Sequence, residues 1–260
     1  MNTALLSTTY FGPVQWYQKL YRYDKVRIEA CESFVKQTYR NRCVIATAQG
    51  PLALTVPVAK DERLKMKDEK YDYTCCDLSV DETNHIFHFS SFISHLRISD
   101  HGNWRHLHWQ ALQSAYGDSP FFEYYEDDLR PFFTEHRWER LLDFNEDIRK
   151  KMCELLDIHP NVQLTSTFNR SEKLEVRSEK SQHSLGGPSA SKGNNTSHLS
   201  PLTSHFADFR YSIHPKHPQP DADFKPRPYY QVFAQNHGFI PNLSILDLLF
   251  NMGPESIFYL

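Results

Sequence analysis

Along residues 25–30, Val26, Ile28 and Ala30 alternate with Lys25, Arg27 and Glu29. A period of two predicts a half-buried strand. Upstream, residues 4–7 form a short apolar run closed by TTYFGP. The next stretch, residues 14–22, carries apolar side chains at helical spacing, with Pro13 placed for a first turn. The order strand, helix, strand predicts a βαβ unit with parallel strands. Residues 43–47 and 52–58 predict two further strands joined through AQGP, with Leu52, Leu54, Val56 and Val58 on one face and Pro57 marking an edge or a strand end. Residues 60–84 are charged and irregular and read as an insertion, and HIFHFSSF at 85–92 reads as an extra strand.

The pattern turns helical from Asn103, with segments expected at 103–116, 120–133 and 137–157, the last with a broad apolar face. Residues 162–168 alternate again and are expected to return to the sheet. The stretch 169–204 is rich in Ser, Lys, Glu, Gly and Asn, repeats RSEK at 170–173 and 177–180, and lacks the apolar surface that would offset chain entropy. It is expected to be a disordered insert. YYQVF at 229–233 predicts a short strand. The segment 238–255 predicts a closing helix, with Asn242 as a candidate N-cap and MGP as its stop.

The fold class expected is therefore α/β, a mostly parallel, Rossmann-like sheet begun by the βαβ unit, with a helical segment and a disordered insert. Residues 1–168 would form the core, 169–204 the insert, and 205–260 a strand and helix completing the same domain.

Composition narrows the chemistry. The chain has 260 residues, 40% hydrophobic and 14% aromatic, ample for a core, and a formal net charge of −3. No global basic field exists to hold a nucleic acid backbone. The five cysteines are odd in number and form no CxxC pair, so neither a disulfide framework nor a thiolate zinc site is indicated. No signal peptide and no run of about 18 apolar residues is present, so a cytoplasmic protein is expected. P-loop, GxGxxG and GxSxG signatures are absent, which removes the usual marks of ATPases, dinucleotide enzymes and serine hydrolases and leaves the cofactor unknown, and the spacing of His101, His106 and His108 does not put three imidazoles on one helix face.

In a parallel sheet, the loops leaving the carboxyl ends of the strands gather on one edge, where ligands bind. Two such loops are TTYFGP, with Tyr10, and CESFVKQTYRNR, with Glu32, Lys36, Arg40, Asn41 and Arg42. Guanidinium forks suit bidentate capture of phosphate or carboxylate. The start of the helix after Pro13 would favour an anion there. His108, on an apolar helix face with Trp104, is the candidate general base, and Asn242, Ser244 and Asp247 are polar groups opening an apolar helix.

The blocks YFGPVQWYQKL, KQTYRNRC, LTVPV, GNWRHLHWQALQSAYGDSPFFEYY and GFIPNLSILDLLFNMGPE, in this order, resemble the WbqC-like protein family. That resemblance implies bacterial surface polysaccharide or O-antigen biosynthesis, with transfer of an acyl or aminoacyl group, such as glycyl, to an amino or nucleotide-linked sugar. The family pattern falls on Lys36, Arg40, Asn41 and Arg42, on Asn103, Trp104, His108, Tyr116, Pro120 and Phe121, and on Pro241, Asn242, Ser244 and Asp247. Thr8 and Thr9 stand where many members have Gln-Pro.

The expectation is an enzyme with His108, Asn41 and Lys36 as catalytic residues. Arg40, Arg42, Tyr10, Trp104, Asn103, Asn242, Ser244 and Asp247 would bind an anionic small molecule. The alternative is a non-catalytic protein that binds a nucleotide-sugar or a partner, and a nucleotidyl-transfer enzyme is a third reading by analogy with the βαβ start.

Overall fold

The computed structural model describes residues 2–59, 92–169 and 206–260. Its centre is a four-stranded sheet in which every pairing is parallel. Strand β1 (Thr3–Ser7) and strand β2 (Lys25–Glu29) flank helix α1 (Val14–Arg22) and pair in register from Thr3 opposite Lys25 to Ser7 opposite Glu29. Val26 and Ile28 are fully buried while Lys25 and Arg27 are half-buried, as the period of two requires. On α1, Trp16, Tyr17 and Leu20 enter the core.

The hairpin of β3 (Arg42–Thr47) and β4 (Gly50–Thr55) is antiparallel and forms a two-stranded sheet of its own. It closes more tightly than the sequence suggests. Gly50, at φ 109°, already pairs with Thr47, which is possible because glycine tolerates positive φ. Pro57 separates β4 from β5 (Val58–Ala59), which pairs with β6 (Arg97–Ile98). The expected strand at 85–92 lies outside the described residues apart from Phe92, which bridges Ser33.

Helices follow. They are α2 (Trp104–Tyr116), α3 (Phe122–Leu129), α4 (Pro131–Thr134) and α5 (Leu141–Leu155). The break between α3 and α4 falls at Pro131, whose ring and missing N–H interrupt a continuous helix. α5 begins only at Leu141, after an irregular stretch at 135–139 and an extended Arg140, and Trp138 Nε1 in that stretch donates to Asp147 at 2.9 Å. Strand β7 (Val162–Leu164) then joins β2, and β8 (Phe206–Asp208) joins the far side of β1, giving the order β7-β2-β1-β8.

Residues 229–233 are not a strand. Tyr229 and Gln231 turn their side chains inward to Asp247, and the backbone bends, Ala234 N donating to Gln231 O at 3.0 Å. A short helix α6 (Ala234–His237) follows, then α7 (Ile245–Met252). α7 is buried from Ile245 through Asn251, its one buried carboxylate, Asp247, being held by hydrogen bonds, and it sits in the core against the hairpin, α1, α2 and α3.

Aromatic rings fill the space between the layers. Phe11 stacks on Phe133 with centroids 5.8 Å apart, Phe132 on Trp138 at 5.2 Å, and Tyr10 on Phe144 at 5.8 Å. Among the described residues no helix is long and apolar enough to cross a membrane.

Candidate functional site

β1, β2 and β8 run in the same direction, so their last residues, Ser7, Glu29 and Asp208, come out on one edge of the sheet. The segments that leave those strands carry buried charge. Arg40 lays its fork on Glu32, Nε to Oε1 at 2.7 Å and Nη2 to Oε2 at 2.5 Å, and Nη2 also donates to Ser7 Oγ at 2.9 Å. Ser7 Oγ in turn donates to Glu32 Oε2 at 3.1 Å and to the carbonyl of Arg210 at 3.3 Å. Burial pushes the Glu32 carboxyl up, against the opposing pull of Arg40 and the Ser7 hydroxyl.

A second fork stands beside the first. Arg210 Nη1 reaches Glu29 Oε2 at 3.1 Å, while its Nε and Nη2 hold Asp208 at 3.0 and 2.7 Å. Glu29 is also held by Cys31 N at 3.0 Å and Thr165 Oγ1 at 2.6 Å. On α1, the buried Lys19 pairs with Asp221 at 2.7 Å and lies over the Phe209 ring, and Gln15 donates to the same Asp221 oxygen at 2.8 Å. The chain from Phe209 to Asp223 is thereby strapped across the edge.

Between strap and sheet lies a narrow depression lined by Ser7, Thr8, Thr9 and Arg40 on one side and Phe209, Arg210 and Ile213 on the other, with about 10 Å³ of free space. That is room for about one water molecule. His214, just beyond it, accepts the N–H groups of Lys216 and His217 on Nδ1 at 3.1 Å each. Burial, then His217 and Arg40, lower its affinity for a proton.

The start of α1 is closed by the chain itself. Val14 N donates to Leu243 O at 3.0 Å and Gln15 N to Asn242 Oδ1 at 2.9 Å, so the amides that the sequence offered to an anion are taken.

The model of the WbqC-like protein family matches residues 8–85 and 77–259. The chain belongs to the WbqC-like protein family. The two matches run across both stretches that the sequence pattern set apart as inserts. A protein of Mycobacterium tuberculosis (strain ATCC 25618 / H37Rv), described as uncharacterized protein Rv1507c, is 25% identical over 257 residues, 96% of this chain and 91% of its own length. No solved structure matches the chain.

Within this WbqC-like chain the candidate residues part company. In YRNRC, Arg40 turns in to the sheet edge, whereas the half-buried Arg42 donates from Nε to Thr55 Oγ1 at 3.0 Å on the hairpin. Asn41 bonds Val56 O through Nδ2 at 2.8 Å, and Lys36 and Asn103 are exposed. Tyr10 is buried and pairs through its hydroxyl with His108 Nδ1 at 2.9 Å. Trp104 meets both rings at its edge and donates to Ser99 O at 3.0 Å. Burial holds His108 down at about 4, with Arg105 adding to the effect and a bond to the Thr55 backbone opposing it.

Asp247 forms a third network. It accepts Tyr116 Oη at 2.8 Å, Tyr229 Oη at 2.6 Å and Gln231 Nε2 at 3.0 Å, and burial lifts its carboxyl to about 6 against those three bonds. Ser244 Oγ donates to Phe11 O at 2.8 Å and accepts from Leu246 N, so Ser244 is the N-cap of α7. No hydrogen bond joins His108, Asp247 and Glu32 to one another.

Sequence reasoning passed over Ser7, Glu29 and Arg210. The signal available was positional: Ser7 and Glu29 are the last residues of predicted parallel strands, and polar groups there face the ligand edge. Among the described residues no group of three or more His, Cys, Asp or Glu side chains is arranged to hold a metal ion.

Proposed function

We propose that this WbqC-like chain is a transferase of surface glycan assembly that moves an acyl or aminoacyl group to an amino or nucleotide-linked sugar. The observation carrying the reading is the convergence of Ser7, Arg40 and Arg210 on a depression at the carboxyl ends of parallel strands, the position at which α/β sheets take ligands, with the buried Glu32 bonded to Arg40 and Ser7 behind them. The glycan setting rests on what membership of the family implies.

In this reading Arg40 is the cation nearest the ligand. Ser7 Oγ, which lines the depression, takes the proton from the amine or hydroxyl attacking the acyl carbon and passes its own to Glu32 Oε2. The bond from that carbon to the donor's leaving group breaks, the group departing with its electron pair. Lys36, exposed beyond β2, meets outer charge on the ligand, with Arg42 and Asn103 at greater distance. Asn41, Tyr10, Trp104 and His108 stand one layer behind and hold the edge segments in position through their bonds to the hairpin and to Ser99. Asn242, Ser244 and Asp247 fix α7 and the start of α1 beneath them.

A second reading, a sugar-nucleotide binder without catalysis, is favoured by one specific observation. Both arginine forks are already engaged by carboxylates, and His108 and Asp247 belong to networks of their own. The experiment is a thermal-shift screen against nucleotide-sugars, followed by incubation of each hit with activated acyl donors and mass analysis of the sugar. A mass gain supports transfer, a shift without gain supports the binder, and no shift with any sugar nucleotide overturns both.

A further inference from the structure

Two aromatic rings stand half out of the protein at the carboxyl edge of the sheet. Phe168 is 47% exposed and Tyr211 51%. Each belongs to the segment that leaves an outer strand, Phe168 after β7 and Tyr211 after β8, and the parallel order brings both segments to the same edge. The two rings meet one guanidinium. Arg210 Cζ lies 5.0 Å from the centroid of Phe168 and 5.6 Å from that of Tyr211.

Single exposed aromatics such as Tyr124 are ordinary on a protein surface. These two are held in place. The Arg210 side chain is 1% exposed and clamped by Asp208 and Glu29, so the cation that attracts both rings is itself fixed. The backbone beside each ring is tied down as well, Asn169 N donating to Glu29 Oε2 at 3.0 Å and Arg210 N to Asp208 Oδ1 at 3.0 Å. Rings fixed in advance lose little freedom when a ligand settles on them.

Charge and chemistry restrict that ligand. Two guanidinium groups, Arg40 and Arg210, stand at this edge against three carboxylates, Glu29, Glu32 and Asp208, a balance that disfavours phosphate. A sugar ring brings no negative charge. Its C–H groups, positive at the hydrogens, suit the negative face of an aromatic ring. Its hydroxyls both donate and accept, which suits an edge of mixed carboxylate and guanidinium character. Asp208, the one carboxylate of the three with a side chain more than 1% exposed, is open to such a hydroxyl.

We infer that Phe168 and Tyr211 form a stacking platform for the pyranose ring of the acceptor sugar, with Asp208 accepting a hydrogen bond from one of its hydroxyls. The inference rests on the proposed function for the identity of the acceptor, and it seats that sugar on named side chains.

Methyl glycosides of glucose, galactose, mannose and glucosamine carry neither a nucleotide nor an acyl group, so they probe the platform apart from the reaction. Saturation-transfer NMR with the full chain is expected to carry magnetisation to the ring C–H protons of at least one of them, and none to uridine. Tyr211→Phe keeps the ring and is expected to bind that glycoside as the parent does. The double variant Phe168→Leu, Tyr211→Leu is expected to bind it about tenfold more weakly. Since both rings are half exposed, the double variant should melt within about 4 °C of the parent.

The inference falls if no glycoside shows transfer, if uridine binds better than the glycosides do, or if the double variant binds as the parent does. A larger drop in melting temperature would make the rings packing groups and overturn it too. Glycoside binding without acyl transfer in the donor assay would count against the proposed reaction and leave the platform standing.

Discussion

Asn242 caps a helix that begins 228 positions before it in the chain at Val14: its Oδ1 accepts the N–H of Gln15 at 2.9 Å, and its Nδ2 returns a bond to Gln15 Oε1 at 3.0 Å. Pro13 cannot cap α1 with its own side chain. The start of α1 is therefore completed by the turn that leads into α7.

Asn242→Ala is expected to lose that cap, at a cost of about 1 kcal/mol. The left-handed backbone at this position, φ 56°, adds to the loss because alanine resists it. Asn242→Asp keeps the acceptor and should lose less. Urea unfolding of the three proteins checks the order, and equal midpoints would remove the cap from the account.

Glu32→Ala strips the Arg40 fork of its counter-charge inside the structure. A broken buried pair costs about 3–5 kcal/mol. Glu32→Ala combined with Arg40→Met should recover much of the loss, since no lone charge then remains. A double-mutant cycle on denaturation midpoints measures this, and strictly additive losses would contradict a buried pair.

Two groups make the pH dependence of stability run in opposite directions. Asp247 titrates at about 6 in the fold and at about 3.9 when unfolded. The folded state therefore holds the extra proton between those values, and the contribution is lost as pH rises through them. His108 titrates at about 4 in the fold and at about 6.5 unfolded. There the unfolded chain holds the extra proton, and stability is lost as pH falls through that window. Each contributes roughly 2–3 kcal/mol at most. His108→Gln should leave a protein that weakens from pH 4 to 6, and Asp247→Asn one that weakens from pH 6.5 to 4. Chemical denaturation at four pH values separates the two, and identical profiles in both variants would be the contrary result.

Gly12 lies where the loop after β1 turns into α1, and a Cβ built there would stand 2.5 Å from Thr9 Oγ1 and 2.9 Å from its Cβ. Gly12→Ala is expected to destabilise the fold by roughly 1–3 kcal/mol through that overlap. A melting curve reads the effect, and an unchanged midpoint would show that the loop gives way freely.

Much of this architecture was legible in the chain. The alternation at Val26 and Ile28, the helical spacing of 14–22 and the proline ahead of it gave the parallel unit, because each signal is local. β8 was not legible: three residues, Phe206–Asp208, carry no period of their own and are specified by their partner β1. Residues 229–233 misled for a related reason, since Tyr229 and Gln231 look like strand residues but answer to Asp247. Arg40 and Arg42 are alike in sequence and part in the structure. Which fork finds a carboxylate depends on Glu32, and which lies along the hairpin depends on Thr55, neither of which residue type alone can decide.

The strand order β7-β2-β1-β8 has a consequence for synthesis. Both outer strands come from the far half of the polypeptide, beyond residue 160, while the two inner ones emerge first from the ribosome. Until β7 and β8 arrive, the nascent β1-β2 pair has two open flanks, a state prone to pairing with other chains. The early half of this protein is thus committed to wait for its late half.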